Sequence, residues 1–388
     1  MKIVHLADTH LGYAAYSKRA ENGFNQREED IINAFIQAVN RIIDIKPAVV
    51  LHSGDLFHTV RPTNRIVSIG IRELFRIYKN NIPFVLISGN HETPKQLYSG
   101  SIYNVFEALD LDKSRFKILY KDKYDTFQIN GLTVHAIPQC SSDEIFRREI
   151  HKLDETKLDN DIKNILMLHA GVKGMKEFSH GDSNELLVDY EWLKDSKMDY
   201  IALGHYHKLT NVVGNAWYSG STERMSFNEI GPGKCFLLVD LSQKQINVDP
   251  KFLDNIRVMD DVPPIDATGK DTVALLDTII TKINSVNPKD KILRLTIKNI
   301  PQHVMSTLDT KLIKDTAKES THFEVKYERI SEEGMIDNIK VLSGGAKEEF
   351  KTFLATKKDM SKDDQDQFFD WWSKFYDKTI KEEEEKEI

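Results

Sequence analysis

Cysteine is nearly missing from this chain: Cys140 and Cys235 are the only two in 388 residues. They offer no disulfide framework and no zinc spacing, and both read as buried or idle thiols. Long apolar runs are missing too. No stretch of about 18 apolar residues occurs, which argues against a spanning helix, and Met1 to Ala7 is too short for a signal peptide. Positive charge is in short supply. The formal net charge is −7, which by itself disfavours nucleic acid as a partner. The acidity is uneven: from Ala346 to Ile388, nine Lys face thirteen Asp and Glu. A cytoplasmic setting without membrane contact is expected. What is present is an ordinary globular composition, 40% hydrophobic and 29% charged, long enough for more than one domain. No internal repeat is evident.

One grammar recurs five times. Phe84-Val85-Leu86-Ile87 runs into Gly89-Asn90-His91-Glu92. Ile3 to Ala7 runs into Asp8-Thr9-His10, and Ala48 to His52 into Gly54-Asp55 and on to His58. Ile165 to Leu168 ends in His169, and Tyr200 to Leu203 in Gly204-His205-Tyr206-His207. Short apolar runs rich in β-branched residues read as buried strands. In a parallel-type sheet the five polar ends lie along one edge, where α/β folds place ligands. The sequence thus predicts one site assembled from distant segments.

Between these strands the apolar residues take helical spacing. Ile31, Phe35, Val39 and Ile42 mark a helix over 27–43, and further helices are expected over 63–79 and 101–109. Residues 144–163 are expected to be helical, with a break at Asp154. Site motifs stop near 245, and a domain boundary is set at 248. A small α/β module follows over 249–330, with strands at 292–297 and 323–327 and a helix near 308–318. Residues 331–345, with Ser343-Gly344-Gly345, read as a linker. A helical hairpin is expected over 346–380, its second helix announced by Ser361-Lys362-Asp363-Asp364, before a charged tail at 381–388. Its aromatics exceed what a hairpin can bury alone.

Asp8, His10, Asp55, Asn90, His169, His205 and His207 are candidate metal ligands. Asp-x-His at a strand end should project both side chains the same way. One such pair is weak evidence and a lone histidine is weaker, since most are satisfied structural residues. Seven at equivalent positions suit two cations sharing a carboxylate. Asp55 is the best bridge, with Gly54 giving access. Mixed imidazole and carboxylate favours Mn, Fe or Zn. Two such ions clamp a phosphoryl group and activate water. His58 and His91 read as phosphate-facing, one of them able to protonate a leaving alkoxide. His5, His52 and His135 read as structural. Lys18, Arg19, Arg27, Arg61, Arg65, Lys95 and Lys208 lie near the motifs and can contact phosphates, although any one alone is more often a solvated charge.

In order, D-x-H, G-D, G-N-H-E, H and G-H-x-H resemble the calcineurin-like metallophosphoesterases. Asp8 to Tyr13, Arg27-Glu28-Glu29-Asp30, Gly54 to His58, Arg61-Pro62, Leu166 to Val172 and Gly220-Ser221-Thr222-Glu223-Arg224 resemble the DNA double-strand-break repair nucleases of the SbcD and Mre-eleven type. That resemblance implies a two-sheet metallophosphoesterase sandwich flanked by helices, with a DNA-contacting α/β cap and a C-terminal helical hairpin. It implies a homodimer, through helices 63–79 and 101–109, and two Mn²⁺ per chain. One metal would take Asp8, His10, Asp55 and His207, the other Asp55, Asn90, His169 and His205. His91 would act at the scissile phosphate with help from His58, and Arg61, Arg65 and Lys95 would touch DNA. The implied activity is duplex exonuclease and single-strand endonuclease, near the nucleoid. Phe350, Phe353, Leu354, Phe368, Trp371, Trp372 and Phe375 would bind an SMC-like coiled-coil ABC ATPase. The family's usual Asp after Asn-His is Glu92 here, which bears on how His91 is oriented. A phosphodiesterase for a small molecule or phosphoprotein fits the extra modules less well. A scaffold that regulates an ATPase through a silent site fits the intact ligand set less well.

Overall fold

The computed structural model describes residues 1–94, 100–109, 111–174, 185–231, 233–243, 245–329, 350, 354 and 361–384, with backbone alone at 363 and 375–384. Two units separate, Met1–Arg329 and Ile330–Ile388. None of the described helices is long and apolar enough to cross a membrane.

The first unit opens with β1 (Lys2–Leu6), α1 (Gln26–Ile45), β2 (Val50–Ser53), α2 (Asn64–Lys79), β3 (Phe84–Ile87), α3 (Asn104–Glu107) and β4 (Phe116–Leu119). The hairpin β5 (Asp125–Ile129) and β6 (Leu132–Ile137) leads to α4 (Asp143–Asp154) and β7 (Lys163–His169). Then come β8 (Gly171–Val172), β9 (Leu187–Val188), α5 (Tyr190–Asp195), β10 (Tyr200–Gly204), β11 (Thr210–Val213), β12 (Ala216–Tyr218), β13 (Cys235–Asp240) and β14 (Asn247–Phe252). The helix expected over 144–163 stops at Asp154, and Lys163 already belongs to β7.

Two six-stranded sheets result, in the orders β14-β13-β1-β2-β3-β4 and β11-β12-β10-β7-β6-β5. The strands carrying the motifs are parallel within each sheet. Successive side chains of a strand face opposite ways. Ile3, Leu51, Val85, Ile165, Met167 and Ala202 fill the space between the sheets. Val4, Val50 and Leu86 instead pack outward with Ile31, Phe35 and Val39 of α1. Leu166, Leu168, Ile201 and Leu203 pack outward with Phe146 and Leu193. Both faces of each sheet are covered, which is why the motif strands read as unbroken apolar runs. The architecture is a helix–sheet–sheet–helix sandwich.

Beyond it lie β15 (Met259–Asp266), α6 (Thr272–Ser285), β16 (Ile292–Ile300), α7 (Gln302–Thr307), α8 (Thr310–Thr316) and β17 (His322–Arg329). The strands form a parallel sheet, β15-β16-β17, with its own core of Leu275, Ile279, Leu293, Leu295 and Ile313. The helix expected near 308–318 is α8, and the short α7 before it was not expected. The boundary expected at 248 falls inside β14, which pairs with β13 from Asn247 through Phe252.

Charged and aromatic contacts seat this cap on the sandwich. Arg257 donates to both oxygens of Asp30, at 2.9 and 2.6 Å. Asp30 also accepts from Arg27 at 2.6 Å. Glu223 accepts the Arg257 backbone N–H at 3.0 Å, and Tyr16 stacks on His322 at 3.8 Å.

In the second unit, α9 (Lys362–Glu384) begins as its sequence predicts, with Ser361 Oγ accepting the Asp364 N–H at 3.2 Å. Of the first helix of the expected hairpin only Phe350 and Leu354 are described, both helical. The linker and Phe353 lie outside the described residues, as does the side chain of Phe375. Phe350 stacks on Trp372 at 4.2 Å, while Phe368 and Trp371 are 48% and 64% exposed.

Candidate metal centre

The five polar strand ends meet, though not along one sheet edge. Three follow β1, β2 and β3 in the first sheet, while in the second His169 ends β7 and His205 and His207 follow β10. They face each other across the end of the sandwich. Strand alternation does not aim Asp8 and His10, because β1 stops at Leu6. Both residues lie beyond it with left-handed backbone, at φ 52° and 51°. Asp55 at 55° and His205 at 108° share that strain. A ladder holds the first three, with Asp8 N–H donating to Gly54 O at 3.0 Å and His10 N–H to Asp55 O at 2.9 Å. Gly54 serves packing more than access: a Cβ there would stand 2.2 Å from His169 Nδ1. A Cβ on Gly89 would stand 2.2 Å from Asp55 Oδ1.

Ligand atoms of Asp8, His10 and His207 lie within 4.8 Å of one another, as do those of Asp8, Asp55 and His169. Asn90 Oδ1 is 2.9 Å from His169 Nε2 and 3.3 Å from His205 Nδ1. Asp55 Oδ2 is 3.4 Å from His169 Nε2 and 3.6 Å from His10 Nε2. All seven candidates are therefore brought together.

The remaining imidazole nitrogens show which atoms face inward. His169 Nδ1 meets the Ser53 carbonyl at 2.8 Å, and a carbonyl can only accept. His205 Nε2 meets Glu185 at 3.0 Å, and His207 Nδ1 meets Glu229 at 3.1 Å. Each outer nitrogen thus donates its proton away from the centre. The inner nitrogens are left as lone pairs, pointed at an amide oxygen, a carboxylate or another imidazole. His10 Nε2 and His207 Nε2 stand 3.1 Å apart. Lone pairs at such distances fit a cation among them. The donor set suits divalent transition metals.

Electrostatics agree. Burial pushes the Asp8 carboxyl up, with the neighbouring imidazoles opposing. Burial also pushes Asp55 up, but His169 and His10 more than reverse it and leave it well below its ordinary value. Burial lowers His169, and Asp55 outweighs it to push the imidazole up to about 9. The Asp55 carboxylate thus favours one positive charge beside it, which a cation can supply in place of a proton on His169.

His58 and His91 stack at 5.0 Å beside this cluster, and His58 Nδ1 is 3.2 Å from His10 Nδ1. Burial and His91 push His58 down to about 4. The His91 N–H donates to Asp55 at 3.0 Å, and its Nδ1 meets the His58 carbonyl at 3.0 Å. Glu92, fully buried, accepts the N–H groups of Phe57 and Gly89 and so clasps the two loops together. Burial, then Asp55, pushes its carboxyl up to about 8. A cavity of about 560 Å³ opens on the Asn90, His169 and His205 side, with Thr93, Gln139 and Ser141 in its wall.

The basic candidates divide. Arg61 is exposed on the loop after His58. Arg65 is held by Glu28 and Glu29 and lies over the Phe24 ring. Lys95 is outside the described residues. Arg27 is fully buried and bound to Asp30 and the Arg224 carbonyl, so it does not face a phosphate. Lys18 reaches Asp290 and Ser320 of the cap. Sequence reasoning missed Glu185, Glu229 and Lys234, single residues with no spacing to announce them. It noted Glu92 only as a departure from a pattern.

The family model for calcineurin-like phosphoesterases matches residues 1–209. The chain belongs to that family. Its members' chemistry calls for divalent metal ions, which this donor set fits. The chain is 35% identical to the DNA double-strand break repair protein Mre11 of Methanocaldococcus jannaschii over 260 residues, 64% of each chain. It is 29% identical to that of Methanococcus maripaludis over 343 residues, 81% of this chain and 87% of the other. With that of Saccharolobus solfataricus the figures are 32% over 251 residues, 63% and 61%. The motif resemblance to this group of calcineurin-like phosphoesterases is borne out.

Proposed function

We propose that this phosphoesterase is a manganese-dependent DNA nuclease that processes ends in double-strand-break repair, as an exonuclease on duplexes and an endonuclease on single strands. The carrying observation is the convergence of imidazole lone pairs, two carboxylates and the Asn90 amide oxygen on one cluster. One cation is assigned to Asp8, His10, Asp55 and His207, the other to Asp55, Asn90, His169 and His205. Two divalent ions there supply charge for the phosphodiester oxygens and acidity for an attacking water.

The chain's own part is placement and proton handling. His91 is pinned through its backbone N–H to Asp55 and through Nδ1 to His58 O, which leaves Nε2 for the scissile phosphate. A proton reaches the leaving oxygen from that atom only when His91 is an imidazolium. With the His10 Nδ1 proton shared towards its own Nδ1, neutral His58 keeps its proton on Nε2 and assists as a donor.

Net charge −7 leaves DNA affinity to local groups, among them Arg61, the cap and the cations. Homodimerisation is assigned to α2 and α3, with Val105 of α3 and Leu109 just beyond it exposed. The second unit, with Phe368 and Trp371 exposed, is assigned to an SMC-like coiled-coil ABC ATPase, in a cytoplasmic, nucleoid-associated complex. The test is release of nucleotides from linear duplex DNA by purified protein with Mn²⁺. Protein that binds the metal but leaves duplex and single strands intact would refute the assignment.

A further inference from the structure

His207 is assigned above as a ligand through Nε2, and what stands behind its other nitrogen is a built arrangement. Glu229 closes the short turn Phe227–Glu229 with its side chain buried. Its Oε1 accepts from His207 Nδ1 at 3.1 Å, the Met225 N–H at 3.2 Å and the Ser226 hydroxyl at 3.4 Å. Its Oε2 takes the Lys234 ammonium and lies 3.1 Å from Ser221 Oγ. Lys234 is buried as well, and it also donates to the His207 carbonyl and to Ser221 Oγ, each at 2.8 Å. Backbone and side chain of His207 are therefore gripped by one Lys–Glu pair.

We propose that Glu229 is a positioning residue for His207: by accepting the Nδ1 proton it fixes the tautomer and ring orientation that aim the Nε2 lone pair at Asp8 and His10. The inference rests on the reading of His207 as a metal ligand. Lys234 and Ser221 act through Glu229 by holding its second oxygen, so the first stays turned to the imidazole. Histidine ligands donate their second N–H to such partners, and losing the partner costs about 10–100-fold in metal affinity.

A carboxylate offers two acceptors, an amide one acceptor and one donor. With Glu229→Gln, an amide oxygen turned to Lys234 puts the NH₂ against His207 Nδ1. The imidazole proton must then move to Nε2, where it blocks ligation. The opposite orientation sets the NH₂ against the Lys234 ammonium. Either arrangement fails. Adding Lys234→Met removes the second conflict and frees the amide oxygen to accept from His207.

The experiment is calorimetric titration of Mn²⁺ into chelator-stripped full-length protein, with thermal melts by circular dichroism to report folding. Wild type is expected to take up two cations. Glu229→Gln should weaken one site by about 10–100-fold and spare the other. Lys234→Met loses one of the groups that hold the carboxylate but keeps the acceptor at His207, so it should weaken that site less than Glu229→Gln does, and Glu229→Gln/Lys234→Met should recover most of the affinity lost in Glu229→Gln. If the pair were only a structural ion pair, Lys234→Met would be as damaging as Glu229→Gln. That result overturns the proposal, as does wild-type affinity in Glu229→Gln or a double variant no better than the single. Should Glu229→Gln fail to fold, the double variant decides: binding close to that of Lys234→Met supports the role and a lost site refutes it. Wild type that took up no cation would sink the ligand reading and this inference with it. Two sites in wild type and two unchanged sites in Glu229→Gln would sink the role of Glu229 alone.

Discussion

Asp30→Ala removes the acceptor on which the seat of the cap turns. The Asp30 side chain is 8% exposed and binds Arg27, at 1%, and Arg257, at 17%. Without it Arg27 keeps the Arg224 carbonyl and Glu223 at 3.5 Å, and Arg257 keeps the Asp290 carbonyl at 3.0 Å. Stripping one partner from a buried pair costs about 3–5 kcal/mol. Because both arginines retain acceptors, the lower end, about 3 kcal/mol, is expected. The assay is urea unfolding of wild type, Asp30→Ala, Arg257→Met and the double variant. Partners in one network do not add, so the double should lose clearly less than the sum. Metal content should be unchanged, since no candidate ligand touches Asp30. The pH dependence has a sign. Burial pushes Asp30 up, but the hydrogen bond from Arg257 and the charge of Arg27 leave it below its ordinary value. The stabilisation is thus full above the unfolded carboxyl value, about 4, and drains as pH falls through the lowered folded-state value. A loss under about 1 kcal/mol in Asp30→Ala, or strict additivity, would refute the reasoning.

Asp55→Ala should empty both metal positions, because a shared carboxylate has no substitute; elemental analysis that still finds two metals per chain would rule out the bridge. His91→Ser should keep both metals and DNA affinity within a few-fold, yet lose about 10²–10³ in single-turnover cleavage rate. Loss of a metal in that variant would place His91 among the ligands instead. Deleting 346–388 should abolish capture of the coiled-coil ATPase and leave manganese-dependent cleavage of single strands, and retained capture would move the docking surface to the first unit.

The site was more legible than its surroundings because its residues come in runs. Asp8-Thr9-His10 and His205-Tyr206-His207 follow apolar strands, and position along the chain alone groups them. A buried salt link leaves no such trace. Arg27 sits among polar neighbours and reads as a surface charge, yet it is one of the largest fully buried side chains among the described residues. Strand β14 was legible in neither period nor apolar content, since Asn-Val-Asp-Pro-Lys-Phe is an edge strand half open to water, where Pro250 is tolerated. The split of five strand ends between two sheets was equally hidden in the residues. Each apolar run is covered on both faces whichever sheet it joins, so only the family resemblance announced the sandwich.

Local rules fail most clearly at the ligands themselves. Regular strand geometry would send Asp8 and His10 to one face with no strain, but both adopt left-handed backbone, as do Asp55 and His205. Each such residue costs on the order of 1–3 kcal/mol unless its surroundings impose the conformation. Here they do. The ladder between 8–11 and 54–57 continues with Leu11 N–H to Leu56 O at 2.8 Å, and His58 N–H returns to Leu11 O at 3.0 Å. The His205 N–H closes the ring on both oxygens of Asp8, each at 3.1 Å. Asp and His tolerate the left-handed region better than most residues, so the chemistry of the ligands and the backbone they need select the same amino acids. The strain is therefore concentrated on the atoms that must be brought too close for comfort, and main-chain hydrogen bonds hold them there. The cluster's geometry is a property of the two sheets' meeting loops.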